Sequence, residues 1–348
     1  MNEPIAMRSG EELNGVTLEP YLRARLFAGP GFSMSQFPSG FSNLTYAIDL
    51  GEQELVLRRP PFGANVKGGH NMAREFRILT GLARGYGKAP RPVLLCEDES
   101  IAGAPFYLME RVPGRVLRAN GTGPIDAVSM RQFSSALIDT LAELHSLDYV
   151  ALGLGDLGNP AEFVARQVTG WGRRLEASVT EELPDMTQCV AWLADNVPYS
   201  ANAPTLIHND FKYDNVMFDE KRLGAVCAVL DWEMATIGDP LMDLGTTLGY
   251  WSQPDDPEVL RSFNLTCRDG NLDRNQVVDR YALVTGRDVR HILYYFVFGL
   301  FKIGVIVQQI YARYRRGDTK DARFASLIQL ERALARQAVL LIDAGKIR

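Results

Sequence analysis

Residues 205–219 read TLIHNDFKYDNVMFD, and within them His208, Asp210 and Asn215 form an H-x-D-x-x-x-x-N array. Lys212 stands two residues past the aspartate, and sixteen residues beyond Asn215 the apolar run AVCAVL ends in Asp231. Phosphoryl transfer asks little covalent chemistry of a protein. It needs an acceptor for the proton of the attacking hydroxyl, oxygen ligands for a divalent cation, and positive charge beside the transferred group. Asp210 suits the first task, Asn215 and Asp231 the second and Lys212 the third, with His208 counted in the same catalytic group. Apolar residues on both sides of the array predict a loop between strands. The turn-rich stretch DEKRLG (219–224) then predicts a hairpin that brings Asn215 beside Asp231.

A chain of 348 residues has room for one or two domains with a full core. Its net charge of −5 offers no electrostatic case for nucleic acid or an anionic membrane as partner. Cys96, Cys189, Cys227 and Cys267 are far apart, and the four histidines are scattered, so no zinc-site spacing exists. Reduced thiols and a cytoplasmic setting are expected. The opening MNEPIAMRSGEELNG carries acids and no apolar run, unlike a signal peptide. The stretch ILYYFVFGLFKIGVIVQQI (292–310) has the length of a membrane span, but Lys302 lies at its centre. A charge there costs about 2.5–3.5 kcal/mol on insertion scales, so a buried helix is predicted instead.

Leu18, Leu22 and Leu26 predict a helix over 17–27. Strand patterning follows from about 35 to 60, in SMSQFPSGFSNLTYAIDL and ELVLRRPP, with GEQ as the turn between. NMAREFRILTGLARG is a helix with Met72, Phe76 and Leu79 on one face, and APFYLMERV (104–112) is a strand closed by Pro113-Gly114. Phe133, Leu137, Leu141 and Leu144 mark a helix over 126–146, and everything beyond is expected to be helical apart from the catalytic hairpin. The change of character divides the chain into a strand-rich lobe, 1–113, and a helix-rich lobe, 114–348.

With this order of elements and the segment HNDFKYDN, the chain resembles the aminoglycoside phosphotransferase and choline kinase-like family over residues 35–250. It is most similar to the broad bacterial branch related to kinase domains fused to acyl-CoA dehydrogenases. The resemblance implies an α+β, protein-kinase-like bilobal fold with an antiparallel-sheet N-lobe and a helical C-lobe. It also implies ATP and Mg²⁺ as cofactors. Carried over residue by residue, Arg58 in LVLRR takes the strand position where most kinases place a lysine on the nucleotide phosphates, with Glu75 as its helix partner. Arginine is a departure, because a planar fork and a compact ammonium contact phosphate differently. PSGFSNLTY aligns with the nucleotide-covering loop through Gly40, Ser42 and Asn43. Met109 falls behind the adenine, with the backbones of Glu110 and Val112 as its partners. Trp232-Glu233 replaces the Phe-Gly of protein kinases and Asn209 replaces their arginine, which implies a site assembled without an activation switch. Asp243 is expected to fix the catalytic loop and Asp239 to cap a helix.

The function expected is ATP- and Mg²⁺-dependent phosphorylation of a small-molecule hydroxyl with Asp210 as general base. Two other readings use the same residues. One is a nucleotide-binding pseudokinase, left open by Arg58; the other is a metal-dependent hydrolase liganded by His208, Asp210, Asp214 and Asp231. On the acceptor side the candidates are Glu233 and Tyr250-Trp251. The apolar helix of 292–310, ending in Arg313, Arg315 and Arg316, suits a hydroxyacyl or other anionic apolar acceptor.

Overall fold

The computed structural model describes residues 3–38, 43–62, 71–119, 121–199, 202–262, 264–319 and 321–347. Helix α1 (Gly15–Arg23) is capped by the side chain of Asn14 and precedes strands β1 (Ser33–Gln36), β2 (Leu44–Asp49) and β3 (Glu54–Arg59). Helix α2 (Met72–Leu82), capped by Asn71, leads to β4 (Pro92–Cys96), the short α3 (Glu99–Ala102) and β5 (Phe106–Glu110). The five strands form one antiparallel sheet in the order β1-β2-β3-β5-β4. Strand β4 is not foreseen by pattern, because PVLLC is an apolar run with no period-2 alternation.

Strand parity decides what each face of this sheet does. Tyr46, Ile48, Leu55, Leu57, Phe106 and Leu108 pack with Leu18 and Leu22 of α1. The alternate residues Ala47, Val56, Tyr107 and Met109 join Met72, Ile78 and Leu79 of α2 in the main core. Arg58 shares the parity of Val56, so its side chain enters the inner face, against α2 and the helical half of the chain.

That half begins with β6 (Arg115–Val116), α4 (Ala127–Leu144), α5 (Phe163–Glu176) and α6 (Pro184–Asp195). Strands β7 (Thr205–Ile207), β8 (Val216–Phe218), β9 (Val226–Val229) and β10 (Thr236–Gly238) surround the catalytic segment. Then come α7 (Pro240–Gly249), the short α8 (Glu258–Arg261), α9 (Arg274–Thr285), α10 (Ile292–Arg316) and α11 (Leu327–Ala344). β8 and β9 form the expected hairpin, with β6 alongside, while β7 pairs with β10. These extra strands interrupt the helical tract that patterning alone suggests. Among the described residues α10 is long and apolar enough to cross a membrane, and 83% of its apolar window is buried inside the protein.

Helices α7 and α10 cross at two glycines. A Cβ on Gly299 would lie 2.0 Å from the Gly245 carbonyl oxygen, and one on Gly245 would lie 2.1 Å from that of Tyr295. Gly299→Ala should therefore push the helices apart and cost about 1–3 kcal/mol or more. A thermal melt should show the loss, and an unchanged Tm would mean that the crossing yields without strain.

Candidate active site

The catalytic segment is a loop between β7 and β8 whose backbone is held from behind by one buried carboxylate. Asp243, fully buried in α7, accepts the backbone N–H of His208 at 2.6 Å and of Asn209 at 2.8 Å. His145 backs it, with Nε2 at 3.2 Å from Asp243 and Nδ1 at 2.7 Å from the Tyr281 hydroxyl. Burial alone would raise the Asp243 pKa, but His145 and His208 outweigh it and hold the carboxyl below its ordinary range. Asp239 caps α7 through the Leu241 N–H and also accepts from the Tyr295 hydroxyl. Asn209 takes a left-handed backbone, φ 66°, a conformation uncommon outside glycine. Its side-chain amide donates to the Met234 carbonyl at 3.0 Å.

Asp210 follows directly. Asn215 Nδ2 donates to its carboxylate and to its carbonyl, both at 2.8 Å, and Lys212 Nζ lies 2.9 Å from Oδ2. Burial works against the Lys212 ammonium, yet Asp210 and then Tyr250 outweigh it, so its pKa stands above the ordinary value. The Tyr250 ring supports that ammonium at 4.4 Å from its centroid. With Nδ2 committed to Asp210, the oxygen of the Asn215 amide is the atom available to a cation.

His208 occupies a different place from the one expected. It is fully buried; Nε2 donates to the Leu230 carbonyl at 2.9 Å and Nδ1 accepts the Asp210 N–H at 3.2 Å. Both ring nitrogens are engaged, Nε2 with the residue that follows β9 and Nδ1 with Asp210, so the buried side chain braces the loop at Asp210. The four-ligand hydrolase arrangement fails on the same geometry, since Asp214 faces Arg118 at 3.5 Å. Among the described residues no group of three or more His, Cys, Asp or Glu is placed to hold a metal by itself.

The hairpin does bring the two halves together: the Leu230 N–H donates to the Asn215 carbonyl at 2.8 Å, one residue before Asp231. Asp231 also has a left-handed backbone, φ 66°, which aims its carboxylate at Arg58. The Arg58 guanidinium forks, Nη2 to Asp231 at 2.9 Å and Nη1 to Glu75 at 3.2 Å, with Glu233 at 3.7 Å from Nη2. Burial would raise the Asp231 pKa, but Arg58 outweighs it and holds the carboxyl below its ordinary range. Glu75 is shifted the other way: burial dominates and Arg58 offsets it only in part.

Arg58 is 7% exposed and Glu75 1%. An Arg58→Ala chain would strand a buried carboxylate, at about 3–5 kcal/mol for a broken buried pair. It should therefore lose stability together with activity. Arg58→Ala combined with Glu75→Gln should recover part of the Tm and none of the turnover. Recovery of turnover in that double variant would show that Arg58 has no role at the phosphates.

Of the nucleotide-covering residues, Gly40 and Ser42 lie outside the described residues. Asn43 is buried, and its amide donates to Glu233 at 2.6 Å, across the cleft. At the strand expected behind the adenine, Met109 is buried in the main core and the Glu110 N–H is committed to the Arg91 carbonyl at 2.9 Å. A contribution of Glu110 to a base would thus come through its carbonyl. Val112 packs on Val116, Met217 and Ala228, a small apolar floor between the sheet and the catalytic hairpin.

Three placements escape sequence reasoning. Arg74 clamps the segment after Asp231, donating to the carbonyls of Glu233 at 3.1 Å and Ala235 at 2.6 Å. Trp251 is a core residue whose indole donates to the Leu272 carbonyl, while its neighbour Tyr250 faces the site. Arg313, Arg315 and Arg316 lie at the far end of α10, with Arg313 about 16 Å along the helix from Lys302 at 1.5 Å per residue. Arg315 meets the Tyr311 hydroxyl and Arg316 meets Asp318. The apolar length of α10 is core, so it does not form the open wall with a cationic mouth expected for a hydroxyacyl acceptor.

The sequence profile of the phosphotransferase enzyme family matches residues 33–266. Acyl-CoA dehydrogenase family member 11 of Rattus norvegicus is 34% identical over 316 residues, which cover 88% of this chain and 40% of that protein. The chain thus spans about two fifths of that relative's length. A solved structure assigned to the aminoglycoside phosphotransferases, from Ralstonia eutropha, superposes with a TM-score of 0.81 at 30% identity, covering 96% of this chain and 99% of that one. The choline kinase of Cryptosporidium parvum shares the fold at a TM-score of 0.58 and 13% identity, covering 95% and 99%.

Proposed function

Because the chain belongs to the phosphotransferase enzyme family, we propose that it moves the γ-phosphate of ATP to a hydroxyl of a small molecule. Asp210 acts as general base. The observation that carries this reading is the orientation of the Asp210 carboxylate by Asn215 and Lys212, within 3.0 Å on both sides. The Lys212 charge also acts on Asp231, so base and metal-side carboxylate share one field.

The residues present fit a divalent cation. Glu75, Asp231 and Glu233 outnumber the one guanidinium between them, leaving an excess of negative charge. Asp231 and the Asn215 amide oxygen are hard oxygen donors, and magnesium commonly takes one or two protein oxygens and completes its shell with phosphate and water. Bound there, the ion would neutralise charge on the nucleotide phosphates. Arg58 would orient those phosphates while staying paired to Glu75. Met109, Glu110 and Val112 would receive the adenine, with Gly40, Ser42 and Asn43 assigned to the covering loop.

Asp210 would accept the proton of the acceptor hydroxyl, His208 and Asp243 holding the loop in place. Lys212 would then meet the developing charge on the transferred group. In the same proposal residues 1–113 form the nucleotide-covering lobe, 114–348 carry the catalytic loop and acceptor side, and the setting is cytoplasmic. A pseudokinase would have no need of an oriented Asp210.

The test is a coupled assay of ADP release with Mg·ATP and a panel of hydroxylated metabolites. Acceptor-dependent ADP formation that stops on chelation supports the reading. Tight Mg·ATP binding with no turnover on any acceptor or on water would leave a nucleotide-binding protein instead.

A further inference from the structure

Lys302 sits in the middle of the apolar helix α10, 2% exposed, and its ammonium donates to the Asn209 carbonyl at 2.6 Å. The Trp171 ring of α5 lies beside it at 5.7 Å. Both backbone polar groups of Asn209 and its side-chain NH₂ are thereby anchored: the N–H by Asp243, the NH₂ by the Met234 carbonyl, and the backbone carbonyl by Lys302. Asn209 is also the residue with φ 66°, immediately before the proposed base. Asparagine enters the left-handed region more readily than other non-glycine residues, and the contacts on both sides of its peptide units select that conformation here. We propose that Lys302 is a positioning residue of the catalytic loop, its buried ammonium fixing the left-handed turn from which Asp210 projects. The inference rests on, and deepens, the reading of Asp210 as base.

A lysine buried only for packing would be an expensive choice in an apolar helix, where methionine has similar reach. The charged groups acting on Lys302 are Asp210 and Lys212 of the loop, Asp243 of α7 and Arg174 of α5. Burial pushes its pKa down from the ordinary 10.5 to about 8, with Asp210 and Asp243 opposing the shift. Lys212 and Tyr250 are shifted upward and Asp243 downward, so none of these titrates in that window. The sign follows from linkage. Between about 8 and 10.5 the unfolded chain holds this proton more tightly than the folded one, so the group's contribution to stability rises with pH. Over the same window the charge on the Asn209 carbonyl is lost. Turnover and this contribution to stability should therefore move in opposite directions.

The experiment compares the full chain with Lys302→Met, Lys302→Gln and Asp210→Asn. The probe is Mg·ATP, with water as acceptor and with any acceptor found in the panel. Lys302→Met should melt no lower than wild type and keep KM for Mg·ATP within about twofold. Its kcat should fall about 10- to 100-fold, the scale of a misplaced catalytic group. The wild-type kcat should decline as pH rises through about 8, a limb that Lys302→Met lacks. Lys302→Gln, which keeps a donor without the charge, should lie between them. Without nucleotide, hydrogen exchange over residues 207–216 should quicken in Lys302→Met.

Unchanged exchange there, or wild-type kcat in Lys302→Met, overturns the inference. Should Lys302→Met fail to fold, Lys302→Gln and the wild-type pH profile decide. If wild type and Asp210→Asn are equally inert on every acceptor and on water, the proposed function fails instead, and the exchange data still decide the role of Lys302.

Discussion

Asp210→Asn should lower kcat by about 10²–10⁴, the usual contribution of a positioned general base, while Mg·ATP affinity stays near that of wild type. The asparagine matches the aspartate in shape but cannot take a proton. Arg58, Asp231 and Glu75, proposed for the nucleotide side, keep their contacts with one another. Lys212 loses its carboxylate partner and retains the Tyr250 ring, so its charge remains near the transferred group. The measurement pairs kcat on an identified acceptor with calorimetry of Mg·ATP binding. A variant that binds normally and turns over normally would remove Asp210 from the chemistry.

Asp231→Ala should act at the other half of the site, on binding. It deletes the proposed hard oxygen ligand and one partner of Arg58, and Mg·ATP affinity should fall by at least about 10- to 100-fold, since even outer partners of metal ligands carry that much. Affinity with magnesium should drop to the value that ATP shows under chelation. The left-handed backbone at 231 complicates alanine, because a Cβ there costs about 1–2 kcal/mol unless a short polar side chain bonds locally. Asp231→Asn is the cleaner companion, as asparagine tolerates that conformation. Magnesium-dependent binding preserved in both variants would mean that the cation is held elsewhere.

Much of the candidate catalytic half is legible in the sequence alone. His208, Asp210, Lys212 and Asn215 lie within eight residues, and a turn-rich stretch between two apolar runs leaves few ways to return Asp231 to Asn215 other than a hairpin. Parity along β3 also turns Arg58 inward once Val56 is assigned to the core. Such features depend on chain geometry over a few residues, which the covalent backbone constrains directly.

What side chains do once they arrive depends on partners far away in sequence, and there the reading from sequence erred or was silent. His208 was grouped with the catalytic residues and is tied up by Leu230 and Asp210, while the reach of Asn43 to Glu233, 190 residues on, had no signal in the sequence. The arginines ending α10 looked like the mouth of an acceptor site and lie about three to four helical turns from Lys302 by the ordinary helical rise. The fold class and the placing of the acid, amide and cation in one loop were thus determined by local spacing and apolar pattern. The fork of Arg58 between Glu75 and Asp231, and the reach of Lys302 to Asn209 across 93 residues, were decided only by tertiary packing. A buried charge takes whichever partner the packed core leaves within hydrogen-bond distance, and no local pattern encodes that distance.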